Sequence, residues 1–237
     1  METQKALFDE YKYKIEMHCH TKPVSSCGQL LPHEVAERYK ELGYDAVVLT
    51  NHFYKNDRYI KNKADFLKFY LDGYESFKEA CEKNGLKAYF GIEIRFANIN
   101  SNDYLVYGIT EDEAEEAARY LEGTIEEFYK GFKNENNLIF QAHPFRNGME
   151  LKKPPCIDGY EVFNMHPGHN SAIGLAAKQA AKYKNLPIVG GSDFHEPGRE
   201  GVISLCVKAL PDDEKGLSDI LKKKDFVFRL GESIILP

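Results

Sequence analysis

Short, nearly uninterrupted apolar runs separated by amphipathic segments constrain this 237-residue chain more than any other feature. Residues 14–18 read as a strand, and residues 32–42 read as a helix with Pro32 in its first turn and Gly43 stopping it. "YDAVVLTNH" is the next strand, and residues 64–84 carry apolar side chains at helical spacing. "LKAYFGIEI" and "DYLVYGI" follow as strands, then helical stretches near 111–121 and 124–135. The chain continues with "NLIFQAH", "IDGYEVFN", a small-residue helix over 170–184, "LPIVGGSDFH", "GVISLCVK", a helix near 212–223 and "DFVFRL". Such an order predicts an α/β fold with a mostly parallel sheet buried on both faces, and at this length a closed or distorted barrel fits better than an open sheet. With no repeat, low-complexity tract or linker to divide it, the chain is expected to form one barrel domain over 1–237.

Hydrophobic residues at 43% and charged residues at 29% are ordinary for a globular protein. No run approaches the roughly 18 apolar residues of a membrane span, and "METQKALFDEYKYK" lacks the apolar segment of a signal peptide. The expected location is therefore the cytoplasm, without a membrane partner. Five scattered cysteines with no CxxC pair indicate neither a disulfide framework nor a cysteine zinc knuckle. A net charge of -6 disfavours general nucleic-acid affinity, and Lys222, Lys223 and Lys224 read as the solvated last turn of a helix.

Strand parity gives the chemistry. In "IEMHCHT", Glu16, His18 and His20 are expected on one face and Met17 and Cys19 on the other. In "GSDFH", Asp193 and His195 alternate likewise with Phe194. His52, Glu93 and His143 stand at or near the ends of other apolar runs, where parallel barrels build their active sites. A lone strand histidine such as His52 or His143 is also well explained as a hydrogen-bonded core residue. An HxH and a later SDxH at matching strand ends point instead to metal. Imidazole with carboxylate and no thiolate suits Zn, Mn or Fe, and a pair of such ions can generate hydroxide at neutral pH and clamp a phosphate ester. His33 reads as a surface residue, while His166 and His169 either reach the mouth or serve their loop.

The ordered set "EMHCHT", "SSCG", "LTNH", "GIEI", "QAHP", "YEVFN" and "GGSDFH" resembles the polymerase and histidinol phosphatase (PHP) superfamily of metal-dependent phosphoesterases, over roughly residues 14–208. The resemblance implies a distorted seven-stranded barrel holding two or three divalent ions, Zn, Mn or Fe. It implies that His18, His20, Glu93 and Asp193 hold one ion, that Glu93 bridges to a second held by His143, and that His52 and His195 hold a third. The chain departs from its relatives at Glu16, where many have Asp, and at Asn51, where they have Asp before the histidine. "VSSCG" offers only Ser26 and Cys27 where three-metal members place another His or Asp, and Asp103 and Tyr104 stand where relatives often have a histidine. His166 is a candidate to complete the second site.

A dianionic phosphate calls for cationic help, for which Arg146, Arg95 and Arg199 are the candidates. The expected reaction is hydrolysis of a small phosphomonoester by metal-activated hydroxide, with Asp193 or His195 handling a proton and no serine or cysteine nucleophile. Two alternatives stand beside it: a phosphodiesterase or nuclease acting on nucleotides or DNA ends, and a metal-binding regulatory module without turnover.

Overall fold

Every apolar run identified above becomes strand, but two of them become two strands each. The computed structural model describes residues 2–97, 101–183 and 185–237. In chain order these contain α1 (Glu2–Glu10), β1 (Tyr13–Cys19), α2 (Pro32–Glu41), β2 (Ala46–Leu49), β3 (His52–Tyr54), α3 (Asp57–Lys61), α4 (Lys63–Lys83), β4 (Lys87–Phe90) and β5 (Ile92–Arg95). There follow β6 (Asp103–Tyr107), a 3-10 turn (Glu111–Glu113), α5 (Ala114–Ala118), α6 (Ile125–Phe132), β7 (Leu138–Gln141) and β8 (Gly159–Asn164). The last third holds α7 (Ile173–Ala180), β9 (Ile188–Gly191), β10 (Ser204–Val207), α8 (Glu214–Lys223), β11 (Val227–Leu230) and β12 (Ser233–Ile235). The helix expected over 170–184 is thus shorter, and its residue 184 lies outside the described residues.

The strands form two six-stranded sheets, β12-β11-β10-β1-β2-β4 and β3-β5-β6-β7-β8-β9, neither of them closed; the α/β class expected is present, and these sheets do not show the distorted seven-stranded barrel expected with it. The division has a local cause. The run 44–52 breaks at Thr50 and Asn51, the run 86–94 breaks at Gly91, and each passes from one sheet into the other. Gly91 is required there, because a Cβ would lie 3.0 Å from Val48 Cγ1 and 3.2 Å from the Val106 carbonyl oxygen. Backbone bonds cross the break from Gly91 N to Leu49 O and from Glu93 N to Asn51 O, both 3.1 Å. A second seam joins β1 to the residues after β9, through His20 N to Phe194 O at 3.0 Å and Phe194 N to His18 O at 3.1 Å.

Pairing is also less parallel than expected. The pairs β1–β2, β2–β4, β3–β5, β7–β8 and β8–β9 are parallel, and the other five are antiparallel. Residues 96–102 between β5 and β6 are too few for the crossover of about a dozen residues that a parallel return needs. Apolar side chains form two clusters. One lies between the sheets (Ile15, Met17, Val48, Leu105, Phe140, Val189) and is completed by Leu217 and Leu221 of α8. The other fills the space under the outer helices, with Val35 and Tyr39 of α2 and Phe66, Tyr70, Tyr74 and Phe77 of α4. The tyrosine-rich stretch 54–74 is therefore mainly packed helix. Among the described residues no helix is long and apolar enough to cross a membrane.

Strict alternation fails in β1. Met17 belongs to the inner cluster and Cys19 to the outer one, because the β1–β2 register shifts between Glu16 and Cys19. Glu16 fills the irregularity: its Oε1 accepts the N–H groups of Met17, His18 and Ser192, and its Oε2 accepts the hydroxyls of Tyr39 and Ser192. Strand β9 closes on this spot at Gly191, where a Cβ would lie 2.5 Å from His18 Cβ and 2.7 Å from His18 N. Gly191→Ala is expected to destabilise the fold by about 1–3 kcal/mol through overpacking, read as a lower urea midpoint at unchanged m; an unchanged midpoint would contradict this close approach.

Candidate metal centre

Glu93, 1% exposed on β5, is the meeting point of four imidazoles. Its Oε1 lies 3.1 Å from His143 Nε2 and 3.4 Å from His18 Nε2, and its Oε2 lies 2.7 Å from His52 Nδ1 and 3.3 Å from His20 Nε2. Asp193 Oδ1 faces the same point, 3.3 Å from His18 Nε2 and 3.5 Å from His20 Nε2. The ligating atoms fall into groups within 4.8 Å of one another: His18, His20 and Asp193; His20, His52 and His195; His52, Glu93 and Asp103.

Hydrogen bonds behind the rings decide where their protons sit. His18 Nδ1 lies 2.8 Å from Glu161 Oε1, and His195 Nδ1 lies 2.8 Å from the Asp193 carbonyl oxygen. Both partners only accept when the carboxylate is ionised, so both rings carry hydrogen on Nδ1. His20 Nδ1 lies 3.0 Å from Ser25 Oγ. Asn51 Oδ1 accepts the Thr21 N–H at 2.8 Å and the Ser25 hydroxyl at 2.9 Å. The single Ser25 proton is thereby spent, and His20 must donate from Nδ1 as well. The Nε2 lone pairs of His18 and His20 then face each other at 3.0 Å, with two carboxylates beside them. Only positive charge between these atoms, a proton or a metal ion, makes that geometry favourable. His143 Nδ1, buried without a hydrogen-bond partner, fits the same description, and Glu93 Oε2, although 2.7 Å from His52 Nδ1, accepts no well-formed hydrogen bond.

Electrostatics agree. Burial raises the Glu93 carboxyl, but His52 and His18 bring it well below the usual range. Burial works against charge on His18, yet Asp193, Glu161 and Glu93 raise its pKa well above that of a free imidazole. The field that would hold a proton there would equally hold a metal ion, and the two compete. Burial, with His195 and His52 nearby, lowers His20 and keeps it neutral, as a metal ligand must be. Asp193, opposed by burial, is pulled well below its usual range by His18 and His20.

The backbone is bent to deliver these groups. His143 and Asp193 have φ of 30° and 50°, left-handed values that non-glycine residues rarely adopt and that typically cost about 1–3 kcal/mol each. His143 is compensated by its N–H, which donates to Glu161 Oε2 at 2.9 Å. Asn164 Nδ2 donates to Glu161 Oε2 at 3.0 Å and to Asp193 Oδ2 at 3.1 Å.

His18, His20, His52, Glu93, His143, Asp193 and His195 therefore lie together. His166 sits at the mouth, its ring 5.4 Å from His195 and 4.4 Å from His169, and outside the three groups. Its Nδ1 accepts the Gly168 N–H at 3.0 Å, and burial lowers its pKa to about 4. Arg95 and Arg146 line a mouth of about 340 Å³. Arg146 touches Asp193 Oδ2, whereas Arg95 grips Asp103 with two bonds of 2.6 and 2.7 Å. Arg199 instead pairs with Glu196 at 2.5 Å and is not among the residues lining this mouth. Cys27, set aside above as a nucleophile, is exposed and lines the same mouth as His195 and His52; burial opposes but the nearby rings lower its thiol to about 6. Sequence reasoning missed Glu161, Asn164 and the ligating position of Asp103. A charged residue inside the apolar run "GYEVFN" was the available signal.

These features place the chain in a known class. Residues 16–196 match the PHP domain, and the chain belongs to that family. Comparison with curated proteins gives no significant match. Among solved structures it is similar to a two-domain protein from Bacteroides vulgatus containing a predicted PHP-like metal-dependent phosphoesterase, at a TM-score of 0.62 and 19% identity. That similarity covers 94% of this chain and 66% of the other, so the chain spans just under two thirds of that protein. PsfC from Pseudomonas syringae is similar at a TM-score of 0.56 and 17% identity, covering 88% of this chain and 87% of the other. The lesion-specific endonuclease PfuEndoQ from Pyrococcus furiosus is similar at 0.55 and 16%, covering 89% and 56% respectively.

Glu161→Gln would turn an amide N–H₂ toward the His143 N–H and Asn164 or remove the acceptor from His18. We expect it to weaken divalent-metal binding about 10–100-fold, the usual effect of losing the group that orients a ligating histidine. Titration against a chelating dye measures this; unchanged affinity would mean Glu161 does not orient the centre.

Proposed function

We propose that the chain hydrolyses a small phosphomonoester with the help of two or three divalent ions of the Zn, Mn or Fe class. The observation that carries this reading is the convergence of the Nε2 atoms of His18, His20 and His143 on the two carboxylate oxygens of Glu93, which suits a carboxylate shared between ions. His18, His20, Asp193 and Glu93 would hold one ion; Glu93 and His143, with Asp103 nearby, would hold another. When bound, such ions supply Lewis acidity and a nucleophile at neutral pH.

The chain's own residues do the rest. Arg146, whose Nε is buried without a hydrogen-bond partner, has a donor to spend on a phosphoryl oxygen and orients the ester. Asp193, held by Arg146, Asn164 and two imidazoles, serves as a fixed anion rather than a proton carrier. The Nε2 of His195 opens to the mouth, available to an ion or to a proton. A cavity of about 340 Å³ lined by polar and charged side chains matches a compact, polar ester.

The nuclease reading draws on the similarity to the Pyrococcus furiosus endonuclease. It is weakened by the net charge of -6 and by the lack of an aromatic stacking platform among the described residues of the mouth.

Elemental mass spectrometry of untagged protein, paired with a substrate screen, tests the proposal. Two or three ions per chain, lost together with monoester hydrolysis in Glu93→Ala, is the expected result. Metal bound without turnover of monoesters, diesters or nucleotides would favour the regulatory module, and turnover of DNA ends alone would favour the nuclease.

A further inference from the structure

We propose that His166 is a catalytic residue, a neutral N–H donor fixed by its own loop that holds the leaving-group oxygen of the ester; this rests on the phosphomonoester reading given above. Its ring carries hydrogen on the opposite nitrogen from those of His18, His20 and His195. The Gly168 N–H donates to His166 Nδ1 at 3.0 Å, and a backbone N–H can only donate, so Nδ1 holds the lone pair. A neutral imidazole then has its hydrogen on Nε2, where it leaves no lone pair for a metal. His166 therefore does not complete a metal site. Burial, joined by His169, His195 and Arg146 and opposed by Asp193, keeps the ring neutral.

The loop "NMHPGHN" is built to hold that tautomer. Pro167 has no N–H, so the one on Gly168 is the first that can reach back to the ring. Glycine is needed there, because a Cβ would lie 2.9 Å from His166 Cε1 and 3.2 Å from its Nδ1. The His166 N–H donates to Asn164 Oδ1 at 3.3 Å, and the Ser171 hydroxyl donates to the same oxygen at 2.8 Å. The Asn164 Nδ2 donates to Glu161 and Asp193, so one amide ties this loop to the carboxylates of the metal centre.

The Nε2–H is left for a ligand. Among the described residues it meets no acceptor, and His166 lines the mouth together with Arg146, His169 and His195. Glu93 is buried, whereas His166 is half-buried at the mouth, so an ester whose phosphoryl group reaches Arg146 and the buried centre extends its alcohol outward past His166. An uncharged donor suits the ester oxygen, while the phosphoryl oxygens call for charged partners. As the bond from phosphorus to the alcohol oxygen breaks, its electron pair stays on that oxygen and the Nε2–H hydrogen bond stabilises the developing charge. Water in the mouth supplies the proton, and His166 gives up none.

Two monoesters separate this role from others: glycerol phosphate, whose alkoxide leaves poorly, and nitrophenyl phosphate, whose phenolate leaves well. His166→Ala is expected to lower kcat on glycerol phosphate about 10²–10³-fold, the usual effect of removing one such donor. The loss on nitrophenyl phosphate should be much smaller, and the metal content per chain unchanged. His166→Gln, which keeps an N–H donor, should recover part of the loss. In metal-loaded wild type, long-range proton–nitrogen correlation spectra should show His166 as the Nε2–H tautomer. Loss of an ion in His166→Ala, a ring protonated on Nδ1, or an equal effect on the two esters would overturn the role of His166 and leave the phosphomonoester reading standing. Wild type that holds its ions yet turns over neither these esters nor any other monoester would sink that reading, and this role with it.

Discussion

Negative charge is concentrated around one point inside this protein, and most of the local architecture answers to that. Glu16, Glu93, Asp103, Glu161 and Asp193 are all buried there, and among the described residues the only guanidinium groups paired with any of them are Arg95, on Asp103, and Arg146, on Asp193. A buried ion left uncompensated costs several kcal/mol, of the order of a protein's whole stability margin. Glu16 is neutralised by five N–H and O–H donors, and Glu161 by His18, the His143 N–H and Asn164. Among the described residues, Glu93 is paired only with imidazoles. It therefore needs positive charge from outside the polypeptide, as protons on His18 and His52 or as metal ions, and a fold that meets this need with metal becomes dependent on metal supply.

The irregular places in the two sheets follow from bringing those groups together. An unbroken β1 would send Cys19 and Met17 to one layer; the shifted register instead sends them to different layers and leaves a pocket of N–H groups for Glu16. Strand β9 can approach that pocket only because position 191 lacks a side chain. His143 and Asp193 adopt left-handed backbone at the two points where strands end and ligating atoms must turn inward. Strain of this kind persists only where surrounding contacts over-determine it. Here Glu161 supplies them, reaching His18 by one oxygen and the His143 backbone by the other, while Asn164 ties it to Asp193.

This explains which parts were legible in the sequence. His18, His20, Asp193 and His195 could be read because each sits at the end of an apolar run with a distinct spacing, and the ordered motifs extended the set to His52, Glu93 and His143. The sheet division could not be read, because the breaks at Thr50, Asn51 and Gly91 lie inside runs whose hydrophobicity continues across them. Glu161 and Asn164 have different strand parity, and only the register shift between Glu161 and Phe163 lets both serve one site. Cys27 was judged from its loop alone; that it lines the mouth with His52 and His195 follows from the long-range bond from Gln29 N to the His195 carbonyl. Asn51 reads as a departure in the sequence, yet its amide does work a carboxylate could not do alone: it accepts from Thr21 N and Ser25 while donating to Thr21 Oγ1 at 3.1 Å.

The two arginines of the mouth are not equivalent, and the difference bears on what can bind. Arg95 has its fork committed to Asp103, so an anion that recruits it must first displace a bidentate carboxylate. Removing Arg95 would leave Asp103 unpaired beside Glu93 and deepen the excess of negative charge. Arg146 touches Asp193 through one terminal nitrogen and keeps its Nε without a partner. A phosphate at the mouth could therefore engage Arg146 without stripping Asp193 of its neutralising neighbour. Arg95 instead keeps Asp103 from repelling that ligand. On the proposed phosphoester reading, Arg146 would thus attract the substrate, and Arg95 would neutralise a carboxylate that opposes it.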